Sequence, residues 1–600
     1  MSRTSKRMAI GAGLVTVALA VSACGSNSGG SAQPSSSTED AVPGGTLNML
    51  GTGDVDYMDP NISYYSIGYQ GLRMWSRQLF SYPAVDGSTT QSVPDLAAEV
   101  PSTSNGGLSA DGLTYTIKLV QGAQWNTSPP RQVTAQDVVR GVKRTCNPVQ
   151  PFGGIPDFAT LITGYQTFCD GFAKVAQTPQ AIADYVENTD LPGVKASDDA
   201  TVVFTLTHPA TYFVDMLTLP AFSPAPKEVL AYLPGSADLA QHQVSDGPYQ
   251  VTSYEPTKSI VFDRNPAWQA SSDPIRKAYV DKIVINETGN QQSIQQQLQT
   301  GTPSADMEFD SGPPPSQLPQ LIASKDPNFN LGETDASNPT IIFNTVSPNN
   351  SGALGNVKVR QALEDAIDRD AIIQSLGGPD VNPPLTHVLP AGIVGSTNLD
   401  TGYTFDAAKA KQELADAGYP NGLTLKFLYR SASEGSTKTF ATVQQELKDV
   451  GITVVGVPSP NADFYTKYLT VPTAAKTGVW DLSLAGWSPD WYGNAALSYF
   501  APLYSGPPSY PPTGSNFGFY NSDATNALIQ QAVAAATEDD AAALWSKADA
   551  QVMEDAPIFP ITSPFNSNYH ASQVHNAVYI PAIQNFDPTN VWLSKDMQGD

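Results

Sequence analysis

The chain has 600 residues, with 57 Asp plus Glu against 32 Lys plus Arg and a formal net charge of −25 at pH 7. So negative a balance argues against nucleic acid or an anionic membrane surface as a partner, and the length exceeds the ~300 residues at which one core stops growing, so two or more lobes are expected. The five histidines are scattered and form no HExxH and no ligand-spaced cluster with cysteine, so neither a metal nor a cofactor is expected; His570 and His575 read as surface residues.

Residues 1–23 read as an export signal. Arg3, Lys6 and Arg7 make a basic start, Met8 to Val21 is an apolar run too short for an ordinary spanning helix, and Val21, Ser22, Ala23 and Cys24 follow as V-S-A-C. This box resembles the lipobox of bacterial lipoproteins, which implies that Cys24 is lipidated, becomes the mature N-terminus and anchors the chain to the outer face of the cell membrane. Residues 24–43 are rich in Gly, Ser, Asn and Thr, the composition of a flexible tether. With Cys24 lipidated, Cys146 and Cys169 remain in an oxidising compartment, so a disulfide between them is expected.

Thr46 to Leu50 reads as the first strand. A turn-rich segment follows to Asp59 and Pro60, and then Tyr64, Tyr65 and Tyr69 lead into a helical run through Leu72, Trp75 and Leu79. Tyr64 and Tyr65 are candidates to line a cleft, with core packing as the alternative. Tyr115, Ile117 and Leu119 alternate with Thr114, Thr116 and Lys118 as a half-buried strand, and Thr134 and Asp137 have capping-box spacing ahead of an amphipathic helix. In WDLSLAGWSPDWYG, Trp480 to Gly493, Trp480, Leu482 and Leu484 alternate with Asp481 and Ser483, the period of a strand with one buried face. Pro489 then forces a loop as Asp490, Trp491 and Tyr492 arrive. Aromatic faces beside a carboxylate suit a guest that stacks and presents an ammonium or hydroxyls.

Several segments recur in a known order: the strand and capped helix of Thr114 to Arg144, SDGPYQVTSYEPTKSIVFDRNPAW (Ser245 to Trp268), IIFNT (Ile341 to Thr345), VRQALEDAIDRDAII (Val359 to Ile373), FDAAKAKQELADAGYPNGLTLKF (Phe405 to Phe427), VQQELKDVGITVV (Val443 to Val455) and DAPIFPI (Asp555 to Ile561). Together they resemble the large extracytoplasmic solute-binding proteins, family 5, of ATP-driven (ABC) importers, which include oligopeptide-, dipeptide- and nickel-binding proteins. The resemblance implies a mixed α/β, type II periplasmic-binding-protein fold with two main lobes joined by a hinge and an extra third domain. By analogy, residues 44–82, 223–335 and 557–600 form lobe I, 83–222 lobe II and 336–556 lobe III, which carries the ligand loop.

It also implies a function: capture of di- or oligopeptides by hinge closure and delivery to a membrane permease with its ATPase subunits, by a monomer that is not an enzyme. In the peptide-binding relatives the aspartate of a G-W-x-x-D motif pairs with the peptide's amino group. Here the motif is Gly486, Trp487, Ser488, Pro489 and Asp490, so Asp490 inherits that role, with Trp487, Trp491 and Tyr492 as pocket walls and Gly486 and Ser488 beside them. No basic residue for a peptide carboxylate is identifiable. An oligosaccharide stacked on Trp491 is the alternative guest. A secreted hydrolase has no G-x-S-x-G to support it, and a carboxylate-pair glycosidase remains as the remote alternative. The absence of a P-loop agrees with ATP being hydrolysed on another subunit.

Overall fold

The computed structural model describes residues 41–595 apart from 335, 493, 494 and 536. The export signal, Cys24 and most of the tether lie outside the described residues.

Two five-stranded sheets carry the molecule. In the first, Met307–Glu308, Thr46–Leu50 and Lys282–Asn286 are parallel neighbours, with Met49 opposite Met307 and Leu47 opposite Ile283, and Ser259–Arg264 and Tyr249–Glu255 continue it antiparallel. Leu47 and Met49 have no exposed surface while Thr46 and Asn48 are half-buried, as a strand with one face on a core requires. In the second sheet Thr453–Ser459, Thr424–Arg430 and Leu482–Ala485 are parallel neighbours, and Thr340–Phe343 and Ile558–Pro560 complete it with antiparallel pairings.

The segment from Trp480 to Leu484 buries both faces, not the one its alternation suggested. Leu482–Ala485 is the middle strand of five, and Asp481 and Ser483 are as enclosed as Trp480 and Leu482, whereas Leu484 is only half-buried. Burial of Asp481 is compensated because it accepts hydrogen bonds from the Lys426 N–H (2.8 Å) and the Ser347 hydroxyl (2.5 Å).

A smaller antiparallel sheet joins Thr114–Lys118, Thr201–Thr205 and Val194–Asp198, and helix Ala135–Arg144 packs on it. That helix begins at the capping box, where the Asp137 carboxylate accepts the Thr134 N–H at 3.0 Å. Cys146, just beyond the helix, is disulfide-bonded to Cys169, with Cα atoms 5.6 Å apart. The chain leaves the first large sheet after Glu308 and returns from the second after Pro560. Both passages meet in one antiparallel ribbon, Phe329–Thr334 with Phe565–Tyr569. His570 and His575 are not surface residues: they are half-buried, with edge-on and stacked contacts to Phe586 and Trp592.

Helix Ser66–Trp75 follows the turn-rich segment and ends at Ser76, short of Leu79. The segment before it is fixed from outside. Arg144 donates from both terminal nitrogens to the two oxygens of Asp59, at 2.9 and 2.7 Å, and also to Asn61, with the two charged side chains only 3 % and 2 % exposed. Asn61 in turn donates to the carbonyls of Ala221 and Ser223. A Cβ on Gly141 would stand 2.0 Å from the Ser223 carbonyl oxygen, so only glycine lets the helix approach this closely to the turn whose carbonyls hold Asn61. Asp59→Asn strands a buried guanidinium and is expected to cost about 3–5 kcal/mol in denaturant unfolding; a loss under about 1 kcal/mol would contradict this account of the anchor.

Candidate ligand-binding site

Both large sheets end their parallel strands at one cleft. Just beyond the carboxyl ends of Thr46–Leu50 and Met307–Glu308 stand Asp54 and Asp310, and at the ends of Thr424–Arg430, Thr453–Ser459 and Leu482–Ala485 stand Arg430, Asn461 and the segment Gly486 to Asp490. They line a cavity of about 460 Å3. The carboxyl ends of parallel strands are where α/β sheets place their ligands, because the chain must turn there and offers loops to both sides.

Asp490 accepts a 2.7 Å hydrogen bond from the Tyr64 hydroxyl. Its backbone N–H donates to the Ser498 hydroxyl, and the Trp487 indole donates to the Ser498 carbonyl at 2.8 Å, so one residue orients both motif side chains. Tyr64 meets Trp487 edge-on, with centroids 5.5 Å apart, and Tyr65 lies 4.7 Å from Tyr465 across the cleft. Ser488 accepts a hydrogen bond from Gln584, and Gly486 is exposed. The structure thus gathers Asp490, Trp487, Gly486, Ser488, Tyr64 and Tyr65 at the cleft.

It does not bring Trp491 or Tyr492 there. Trp491 has no exposed surface and stacks on Tyr212 at 5.9 Å, and Tyr492 turns its ring to Tyr82 while its N–H donates to the Tyr82 hydroxyl at 3.0 Å. Neither lines the cavity. The bend after Pro489 turns Trp491 toward Tyr212 and Tyr492 toward Tyr82, into a core away from the cavity, so the reading of them as pocket walls is corrected.

Residues 91–511 match the model of the bacterial extracellular solute-binding proteins, family 5. The chain belongs to that family. It is 26% identical to the heme-binding protein A of Haemophilus influenzae over 76% of this chain and 77% of that one, and 24% identical to the periplasmic oligopeptide-binding protein OppA of Salmonella typhimurium over 94% of each. Among solved structures it superposes on the periplasmic binding protein DppA of Helicobacter pylori, in complex with peptide STSA, with a TM-score of 0.74, 23% identity and coverage of 93% of this chain and 100% of that one.

The electrostatics of this family 5 cleft are lopsided. Its described lining has four carboxylates, Asp54, Asp56, Asp310 and Asp490, and one cation, Arg430. The Arg430 guanidinium lies over the rings of Phe464 and Tyr465, at 4.4 and 5.1 Å, and pairs with no carboxylate of the described residues. Behind Asp490 stands Asp157, 3 % exposed, with the Asp490 carboxyl as its charged neighbour and no donor among the described residues at either oxygen. Burial holds both above the usual carboxylate range, and the Asp490 charge raises Asp157 further. Only a shared proton or a cation can join two such groups. The Tyr69 hydroxyl, buried and without a partner, faces the same acids.

Asp56, Asp157, Asp310 and Arg430 were not found from sequence. Arg430 had a signal, since it ends the strand pattern of LTLKFLYR; Asp157 had none.

Burial also lifts Asp310 to about 6. The folded form therefore holds this proton more tightly than the unfolded chain does, and the carboxyl costs stability as pH rises from about 4 through 6. Asp310→Asn, which keeps an acceptor for the Thr52 N–H, is expected to gain on wild type between pH 4 and pH 8 by on the order of 1 kcal/mol, allowing for partial exposure, in thermal unfolding of the empty protein. A gap that is flat with pH would refute the burial account.

Proposed function

We propose that this family 5 protein captures peptides with a free amino terminus and delivers them to an ABC permease and its ATPases. The observation that carries the reading is Asp490, placed by Tyr64 and Ser498 at the wall of a cleft where both sheets end, with the Trp487 ring beside it. An α-ammonium offers three N–H donors, which the Asp490 carboxylate and the acceptors around it match with charge-assisted bonds. The peptide names carried by OppA and by the DppA complex support the same class of guest. Four lining carboxylates disfavour a dianionic guest such as haem, despite the name of one relative.

Arg430, unpaired and capping the rings of Phe464 and Tyr465, is the natural partner for a ligand carboxylate. Lobes with the boundaries inferred from sequence would close about the ribbon of Phe329–Thr334 and Phe565–Tyr569. In this reading the chain is a monomeric carrier and not an enzyme. Anchoring through a lipid on Cys24 belongs to the same proposal and rests on the V-S-A-C box.

Asp490→Asn is expected to weaken a free-amine tripeptide by ~2 kcal/mol, about 30-fold in Kd, and N-acetylation of the peptide to cost wild type at least as much. Equal affinities in calorimetry for the free and acetylated peptides would sink the assignment. Arg430→Gln is expected to erase most of the preference for a free over an amidated carboxyl terminus, read as the ratio of the two Kd values in the same titrations.

A further inference from the structure

A second group of acids stands on the first sheet, away from Asp490. Its three parallel neighbours, Met307–Glu308, Thr46–Leu50 and Lys282–Asn286, are followed at their carboxyl ends by Asp310, Asp54 and Glu287. Adjacent strand ends bring the three carboxyls together. Asp310 is held by the Thr52 N–H and hydroxyl at 2.8 and 2.7 Å, and one oxygen of Asp54 accepts from the Tyr254 hydroxyl and the Thr257 N–H, both at 2.8 Å. The other oxygen of Asp54 has no such donor and faces Glu287.

Glu287 is the telling residue. It is 3 % exposed, neither of its oxygens meets a hydrogen-bond donor, and its one carboxyl contact is Asp54. Lys258, whose carbonyl accepts the Glu287 N–H, turns its ammonium away to Glu255 at 3.3 Å. The protein thus packs a carboxyl behind a cleft-lining carboxyl, and among the described residues no cation pairs with either. Burying a second like charge there raises the cost of ionising Glu287, and a structural role would be served better by an amide or an apolar side chain. A guest cation placed against Asp54 and Asp310 would let the group ionise with its charge balanced.

We propose that the cleft takes a peptide with a second positive charge besides its α-ammonium, a lysine- or arginine-like side chain, received by Asp54 and Asp310 with Glu287 behind them. The inference rests on the peptide reading, since it assumes that the amino end sits at Asp490. It divides the cleft into two cation subsites on opposite sheets, with Arg430 left for an anionic group.

The test is titration calorimetry of the full chain with alanine tripeptides in which one position, second or third, carries lysine, norleucine or glutamate. Lysine and norleucine have side chains of similar length and differ in charge, so their ratio isolates the cation. At the preferred position lysine is expected to bind at least tenfold tighter than norleucine, and glutamate weaker than norleucine. Glu287→Gln and Asp54→Asn, each checked for native circular dichroism, are expected to shrink the lysine-to-norleucine ratio at least threefold. Lysine and norleucine within twofold of each other at both positions would overturn the inference and leave the peptide reading standing. A full lysine preference that neither variant reduces would overturn the assignment to these residues, and no binding by any peptide would overturn both readings.

Discussion

Arg144 closes on both oxygens of Asp59 inside the protein, and one whole wall of the cleft depends on that contact. The segment between Leu50 and Ser66 has little regular structure of its own, yet it carries Asp54, Asp56, Tyr64 and Tyr65. Such a segment has many conformations to lose, and its backbone alone cannot hold a carboxylate in place. A bidentate ion pair, desolvated and supplemented by Asn61, fixes it midway along its length. The partner lies on helix Ala135–Arg144, which itself rests on the small antiparallel sheet. The additional sheet thereby sets the shape of a site that the two large sheets enclose.

The same economy of charge explains the character of the cleft. Arginine in this chain is committed to the interior: Arg77 and Arg276 share Asp95 and Asp273 with no exposure on either side, Arg73 meets Asp587, and Arg140 meets Asp137. Arg276 lowers Asp273, and Arg73 lowers Asp587, as paired acids require. Few basic residues are left for the cleft, where Arg430 is the one cation of the described lining and pairs with no carboxylate of the described residues. Asp56, Asp310 and Asp490 are raised by burial where the structural acids are lowered by arginine. Burial raises Asp246 and Glu364 in the scaffold as well, so what sets Asp56, Asp310 and Asp490 apart is that they line the cleft.

Much of this was legible in the sequence, for identifiable reasons. Short-range rules placed the first strand, the strand of Tyr115 and Ile117 and the capping box at Thr134, because each depends on residues within a turn of one another. Motif order led to the family. Burial of both faces at Leu482–Ala485 was not legible, since alternation reports one face and the polar Asp481 before it is satisfied by residues distant in sequence. Trp491 misled for the same reason. A ring that stacks on a guest and a ring that stacks on Tyr212 look alike until the fold brings that tyrosine near. Asp157 carries no local mark at all, because what distinguishes it is the company of Asp490, more than three hundred positions away.

The burial of Trp491 has a mechanical side. Asp490 is followed at once by a ring sunk against Tyr212 and by a backbone N–H held by the Tyr82 hydroxyl, so its loop is riveted to the part of the chain before residue 223. Withdrawing a fully buried tryptophan would expose some 200 Å2 of mostly apolar surface, a cost of about 5 kcal/mol. The contacts that close the opposite rim are of another kind: exposed hydrogen bonds from Ser316 and Gln292 to Glu434, each worth about 1 kcal/mol or less. If the lobes part as proposed, the weaker contacts of Glu434 would yield before the rivet at Trp491. Such an opening would resemble a purse with a stitched corner, the end at Asp490 staying formed while the end at Glu434 parts.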